Sequence, residues 1–240
     1  MLKIFWPLRM ILFYALIIPA TIIIASLGWL CAPLPAAWCY KIITSWSHIF
    51  IWAAKHICGL NYKVTGHKNL PTSPYIVLCN HQSMWETIFM QVLLPPQSWV
   101  LKRELLWIPF FGWGLALLKP IAVARNRLAD VKLILNQGLN RLQQGRCVIF
   151  YPEGTRLPPG KNKRFSRTGA ALAIAGNVAV IPIAHNAGKF WPRGPWMRRP
   201  GTIEVHIGRP ITASEHNASS ITTIAETWIN QQKDILQRIP

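Results

Sequence analysis

Carboxylates are scarce in this sequence. Its 240 residues carry eight Asp and Glu against 26 Lys and Arg, a formal charge of +18. None occurs before Glu86, and the rest are Glu104, Asp130, Glu153, Glu204, Glu215, Glu226 and Asp234. So basic a chain suits a polyanionic neighbour, either nucleic acid or anionic lipid headgroups. Cysteine is limited to Cys31, Cys39, Cys58, Cys79 and Cys147, an odd number with no C-x-x-C pair, which offers neither a disulfide framework nor a zinc knuckle. Cys79 and Cys147 fall in apolar runs and read as buried packing thiols of a reducing compartment. No H-E-x-x-H or clustered His/Cys spacing supports a metal, and no G-x-S-x-G marks a serine-hydrolase elbow. The run "GTRLPPGK" from Gly154 imitates a nucleotide loop, but one residue too many separates its glycines and Asn162 replaces the required Ser or Thr. Nucleotide binding is excluded. There is no internal repeat and no low-complexity linker.

Apolar residues are plentiful, with 12 tryptophans among them. From Met10 to Tyr40 there is no charged side chain, longer than the roughly 20 residues that cross a bilayer. A cleavable signal would have a shorter apolar core ending in small residues. A second stretch, Ile42 to Ala54, follows Pro33 and Pro35 and carries His48. A single crossing and a helical hairpin both fit. The basic residues flanking both stretches favour the hairpin, with the remaining chain on the cytoplasmic face of the membrane. Two further segments look interfacial: "LLWIPFFGWGLALL" (105–118), which could equally be a buried loop, and "WPRGPWMRRP" (191–200). Residues 1–59 are therefore expected to form a membrane-associated helical segment and residues 60–240 the α/β domain.

Beyond residue 60, strand and helix patterns alternate. Strands are predicted at Tyr62–Thr65, Tyr75–Cys79, Ser98–Leu101, Pro120–Ala124, Cys147–Tyr151, Val178–Ala184 and Thr202–Ile207. One helix has a stripe of Leu128, Val131, Leu135, Leu139 and Leu142; a later one has Ile221, Ile224, Ala225 and Trp228. This is an α/β pattern, a mostly parallel sheet covered by helices. In such sheets the polar residues just past the carboxyl ends of strands do the chemistry.

Three such clusters stand out. Asn80-His81-Gln-Ser-Met-Trp-Glu86 follows "YIVLC". A regular helix turns about 500° over five residues, which would separate His81 from Glu86; a bend near Ser83 would bring them together. Ser83-x-x-Glu86 is also a capping box, so a purely structural role stays open. Glu153-Gly154-Thr155-Arg156 follows "CVIFYP"; glycine N–H groups and an Arg can grip a phosphate, although a plain turn with a salt bridge fits too. Arg125 follows "PIAVA". A histidine and a carboxylate with no nucleophile of their own suggest that the substrate supplies one, with His as base and the carboxylate fixing its tautomer.

The order N-H-x4-[D/E], an Arg after a strand, then Y-P-E-G-T-R, then V-I-P-I across residues 60–210 resembles the glycerolipid acyltransferases, and among them the lysophosphatidic acid acyltransferases. The resemblance implies that His81 removes the proton of a lysophospholipid hydroxyl and Glu86 orients it. It further implies that Arg125, Glu153, Gly154, Thr155 and Arg156 bind the glycerol phosphate, with Arg164 and Arg167 as further phosphate contacts. Val180 to Ile183 would pack or touch the acyl chain. Acyl-CoA or acyl-ACP would be the co-substrate and membrane lipids the surroundings, with no cofactor, metal or nucleic acid. Glu stands where the family more often has Asp, Ala124 where an Asp is frequent, and Ser166 where a phosphate-facing Lys is common. The departures at Ala124 and Ser166 leave room for another acceptor, such as a lyso-ornithine lipid. A non-enzymatic tether for anionic lipid or nucleic acid is the remaining alternative.

Overall fold

The computed structural model describes residues 5–238 apart from 73, 95, 125–126 and 195–198. Two long helices come first, α1 (Phe5–Leu30) and α2 (Ala36–His56). There follow β1 (Leu60–Thr65), β2 (Ile76–Cys79), α3 (Trp85–Leu93), β3 (Gln97–Lys102), α4 (Phe111–Leu117), β4 (Ile121–Val123) and α5 (Arg127–Gln143). The chain closes with β5 (Cys147–Phe150), α6 (Thr168–Gly176), β6 (Val180–His185), the one-turn α7 (Ala187–Phe190), β7 (Gly201–Ile207) and α8 (Ala218–Arg238). Each of the seven expected strands overlaps one of these.

The strands form one sheet in the order β1-β7-β6-β2-β5-β3-β4. Every pairing is parallel except β6 with β7. In β2, β5 and β6 every residue is buried, the unbroken apolar pattern that a parallel sheet covered on both faces demands. Because side chains alternate along a strand, the core splits in two. Val77, Cys79, Ile149, Ile181 and Ile183 face α1, α2 and α3. Ile76, Leu78, Val148, Phe150 and Val180 face α5, α6 and α8.

The apolar face of α5 differs slightly from the expected stripe. Among its described residues Ile134, Gly138 and Leu142 are buried, with Leu135 and Leu139 packed alongside, while Val131 is exposed. Along α8, Ile221, Ala225, Ile229, Lys233 and Leu236 are buried, and Ile224 points outward. A lysine thus occupies an apolar register.

The N-terminal pair is part of the domain. Met10, Phe13, Ile17 and Ile24 of α1 and Ile43, Phe50 and Ile51 of α2 belong to the same apolar cluster as one face of the sheet. Phe13, Phe50 and Trp191 pack in a triangle with centroids 5.2 to 5.5 Å apart, Phe13 edge-on to the other two. The 59/60 boundary separates elements along the chain without dividing this core. α1 also has an outward face of Leu12, Ile18, Ile23, Trp29 and Leu30, and Pro7–Leu30 is the one helix among the described residues long and apolar enough to cross a membrane. In the 105–118 segment Trp107, Ile108 and Trp113 are exposed, whereas Leu115 and Leu117 pack on the core.

Candidate active site

The sheet order decides which polar residues meet. β2 lies between β5 and β6, with Leu78 opposite Phe150 and Cys79 opposite Ile183. The residues that follow these parallel strands therefore emerge side by side: Asn80-His81, Tyr151-Pro152-Glu153 and His185-Asn186. Asn80 joins two of the three. Its Nδ2 donates to the His185 carbonyl at 3.0 Å, and the His185 N–H donates to its Oδ1 at 2.9 Å.

The His81 ring stacks on Tyr151, with centroids 4.4 Å apart, and its Nδ1 donates to Glu86 Oε1 at 2.8 Å. The same oxygen accepts the N–H groups of Gln82 and Ser83, at 3.0 and 2.9 Å, while Ser83 Oγ takes the Trp85 N–H. The cap at the start of α3 and the acid that orients the histidine are therefore one side chain, and the two readings of Ser83-x-x-Glu86 coincide. Three donors crowd onto Oε1; Oε2 is buried without a hydrogen-bond partner among the described residues. Burial pushes the Glu86 carboxyl up, but the His185 and His81 imidazoles and the Ser83 N–H outweigh it and hold it below its ordinary value. With Nδ1 committed as donor, His81 Nε2 is the basic nitrogen of a ring whose side chain is 16% exposed. Glu86 is fully buried.

His185 lies behind this pair, its Nε2 4.0 Å from Glu86 Oε1. That nitrogen donates to the Asn80 carbonyl at 2.8 Å, and Nδ1 accepts the Ala187 N–H. Both bonds fit the neutral ring, and burial lowers its pKa against the pull of Glu86.

The Glu153-Gly154-Thr155-Arg156 turn departs from the expectation. Glu153 was expected to grip the glycerol phosphate; instead its carboxylate is buried, with Oε2 accepting the His81 main-chain N–H at 2.8 Å and Oε1 paired with Lys233 Nζ at 3.3 Å. Burial raises its pKa, opposed by the His81 N–H and by Lys233. Gly154 has φ +68°, a conformation that favours glycine, but its N–H is taken by the Tyr151 carbonyl at 2.9 Å and is not free for an anion. Thr155 Oγ1 accepts from the Arg193 guanidinium at 3.3 Å, and the same guanidinium donates to the Arg156 carbonyl. Arg156 does face open space. With Ser83, Met84, Tyr14, Trp191 and Arg193 it lines a cavity of about 190 Å³. Arg164 and Arg167 are exposed and do not line it. Arg125 lies outside the described residues, and Ser166 Oγ pairs with Thr168 Oγ1 at 2.9 Å.

Three members of this constellation, His185, Lys233 and Arg193, were not singled out from the sequence as site residues. Lys233 alone left a trace, as the cation in the apolar register of α8.

An imidazole bonded to a buried carboxylate thus sits at the carboxyl ends of the strands, next in the chain to Ser83 on the wall of a cavity that Arg156 and Arg193 also line. An acyltransferase family model matches residues 61–186, more than half of the chain, and the chain belongs to that family. A 1-acyl-sn-glycerol-3-phosphate acyltransferase of Pseudomonas aeruginosa is 42% identical over 231 residues, spanning 93% of this chain and 90% of that one. The enzyme of that name from Saccharomyces cerevisiae is 29% identical over 196 residues, 79% of this chain and 64% of that one. The crystal structure of PlsC, the 1-acyl-sn-glycerophosphate acyltransferase of Thermotoga maritima, has the same fold: TM-score 0.83 over 98% of each chain at 22% identity. The protein is thus an acyltransferase, and the non-enzymatic tether is set aside.

Proposed function

We propose that this enzyme moves a fatty acyl group from a thioester, acyl-CoA or acyl-ACP, to the free 2-hydroxyl of lysophosphatidic acid, making phosphatidic acid at a membrane surface. The observation that carries the reading is the 2.8 Å bond from His81 Nδ1 to Glu86 Oε1, which commits Nδ1 as donor and leaves the opposite ring nitrogen to serve as the base. Nε2 takes the hydroxyl proton as the alcohol oxygen attacks the thioester carbon. The new C–O bond forms, the C–S bond breaks, and the proton passes from Nε2 to the departing thiolate. Glu86 stabilises the imidazolium in between. Arg156 and Arg193, on the wall of the cavity beside Ser83, supply the positive charge for the acceptor's phosphate. The apolar outer face of α1 and the exposed tryptophans of the 105–118 segment seat the enzyme in lipid, with the sheet on the cytoplasmic side.

The P. aeruginosa relative, alike over nearly its whole length, supports the choice of acceptor. The test uses the purified protein, a labelled acyl thioester and a panel of lyso-lipids. Lysophosphatidic acid should be the preferred acceptor, and His81→Ala should lose about 10²- to 10⁴-fold in kcat. Wild-type turnover by His81→Ala would remove His81 as the base; preference for a phosphate-free acceptor would remove the assigned substrate.

A further inference from the structure

We propose that Lys233, on the C-terminal helix α8, is a positioning residue of the catalytic centre: by pairing with Glu153 it fixes the main chain of His81. This rests on His81 acting as the base.

Lys233 is 1% exposed, a position where lysine is rare unless paired. Its ammonium lies among four oxygens: Asn162 Oδ1 at 2.7 Å, the Lys161 carbonyl at 3.1 Å, Glu153 Oε1 at 3.3 Å and Asn230 Oδ1 at 3.4 Å. Glu153 is the anion of this set. Its second oxygen holds the His81 N–H, and the His81 carbonyl takes the Leu157 N–H at 2.8 Å. Both main-chain polar groups of the base therefore hang on the 153–157 turn, and Lys233 pins that turn to α8. A displacement of the ammonium reaches the catalytic ring through two hydrogen bonds.

Stability alone does not explain the arrangement. Replacing a buried ion pair by apolar side chains is often neutral or stabilising, whereas removing one partner strands a charge. The pair earns its place through where it puts His81. The titratable groups facing Glu153 are Lys233 from α8, His81 from the loop after β2, and Cys79 at the end of β2. Without Lys233, burial of the carboxyl is opposed only from the His81 side. Glu153 then binds a proton at higher pH than in the wild type, and the neutral acid holds the His81 N–H less well.

The test is a pH–rate series on the full-length enzyme in lipid–detergent micelles for wild type, Lys233→Met, Lys233→Arg, Glu153→Gln and the double variant Glu153→Gln/Lys233→Met. Lys233→Met is expected to lose about 10- to 100-fold in kcat, with the acceptor KM changed less than about twofold, and the acid limb of its profile should move to higher pH. Lys233→Arg keeps the cation and should restore the wild-type limb. The double variant buries no stranded charge. It should fold even if Lys233→Met does not, lack the displaced limb, and lose no more kcat than the worse single variant. A wild-type kcat and limb in Lys233→Met, or losses that multiply in the double variant, would overturn the proposal. His81→Ala in the same assay reports on the base itself, so failure of that assignment is seen separately from failure of the Lys233 tie.

Discussion

Replacing Glu86 by Gln tests the heart of the proposed mechanism with little change of shape. The amide oxygen can still accept the N–H groups of Gln82 and Ser83, so the start of α3 should survive. What disappears is the negative charge 2.8 Å from His81 Nδ1. At an effective dielectric constant of about 20, two unit charges 4 Å apart attract by about 4 kcal/mol. If two thirds or more of that is felt by the imidazolium in the transition state, kcat falls by about 10²- to 10³-fold. The new amide N–H₂ would occupy the site of Oε2, which has no partner among the described residues, adding about 1 to 3 kcal/mol of instability. Glu86 is fully buried and lines no part of the cavity, so the acceptor KM should hold within about twofold. Release of thiol from the acyl thioester gives a direct assay, because four of the five protein thiols are buried. Glu86→Asp places its carboxylate one carbon–carbon bond, about 1.5 Å, short of His81 and should fall between wild type and Glu86→Gln. A Glu86→Gln enzyme within threefold of the wild-type kcat would refute the assignment of Glu86 as the acid that steers the base.

Other outcomes follow from the same geometry. Arg193→Gln and Arg156→Gln should each raise the KM for lysophosphatidic acid by about tenfold, the worth of one charge-assisted contact, with a smaller effect on a monoacylglycerol; equal effects on both acceptors would separate these arginines from the phosphate. Acid should destabilise the fold in two stages. His185 has a lowered pKa, so below about pH 6.5 the unfolded chain carries a proton that the folded one refuses, and stability falls by up to about 1.4 kcal/mol per pH unit. Glu86, whose pKa is depressed, contributes stability present above about pH 4.3 and lost as pH drops through its folded value. Denaturant titrations at pH 7.5, 6.5 and 5.5 should show the first stage, and it should vanish in His185→Gln; a flat profile in the wild type would contradict the neutral ring. Trp107→Ser, at a 70% exposed position, should weaken binding to lipid vesicles while leaving kcat in detergent unchanged.

The strands and the site's outline were legible because they are written locally. Apolar runs such as "YIVLC" and "CVIFY" followed by polar clusters locate the carboxyl ends of β2 and β5, and Ser83-x-x-Glu86 marks the bend that returns Glu86 to His81. The partners of those clusters were not legible. Asn80 meets His185 across 105 positions and Glu153 meets Lys233 across 80, and no periodicity records such a meeting. The Glu153 motif misled for a related reason: its spacing says that a turn follows β5, but not that the carboxylate turns inward to the His81 N–H while Arg156 turns outward. Nor does an apolar helix state whether its inner face meets lipid or protein, which is why α1 read as a separate segment.

The triangle of Phe13, Phe50 and Trp191 makes the two N-terminal helices a structural wall of the sheet domain. A chain begun at residue 57 would strip two of the three helices from the side of the sheet that carries Val77, Ile149 and Ile181. Trimming such an enzyme for solubility would therefore wreck it, and any transplant of its chemistry to another anchor must carry these two helices along.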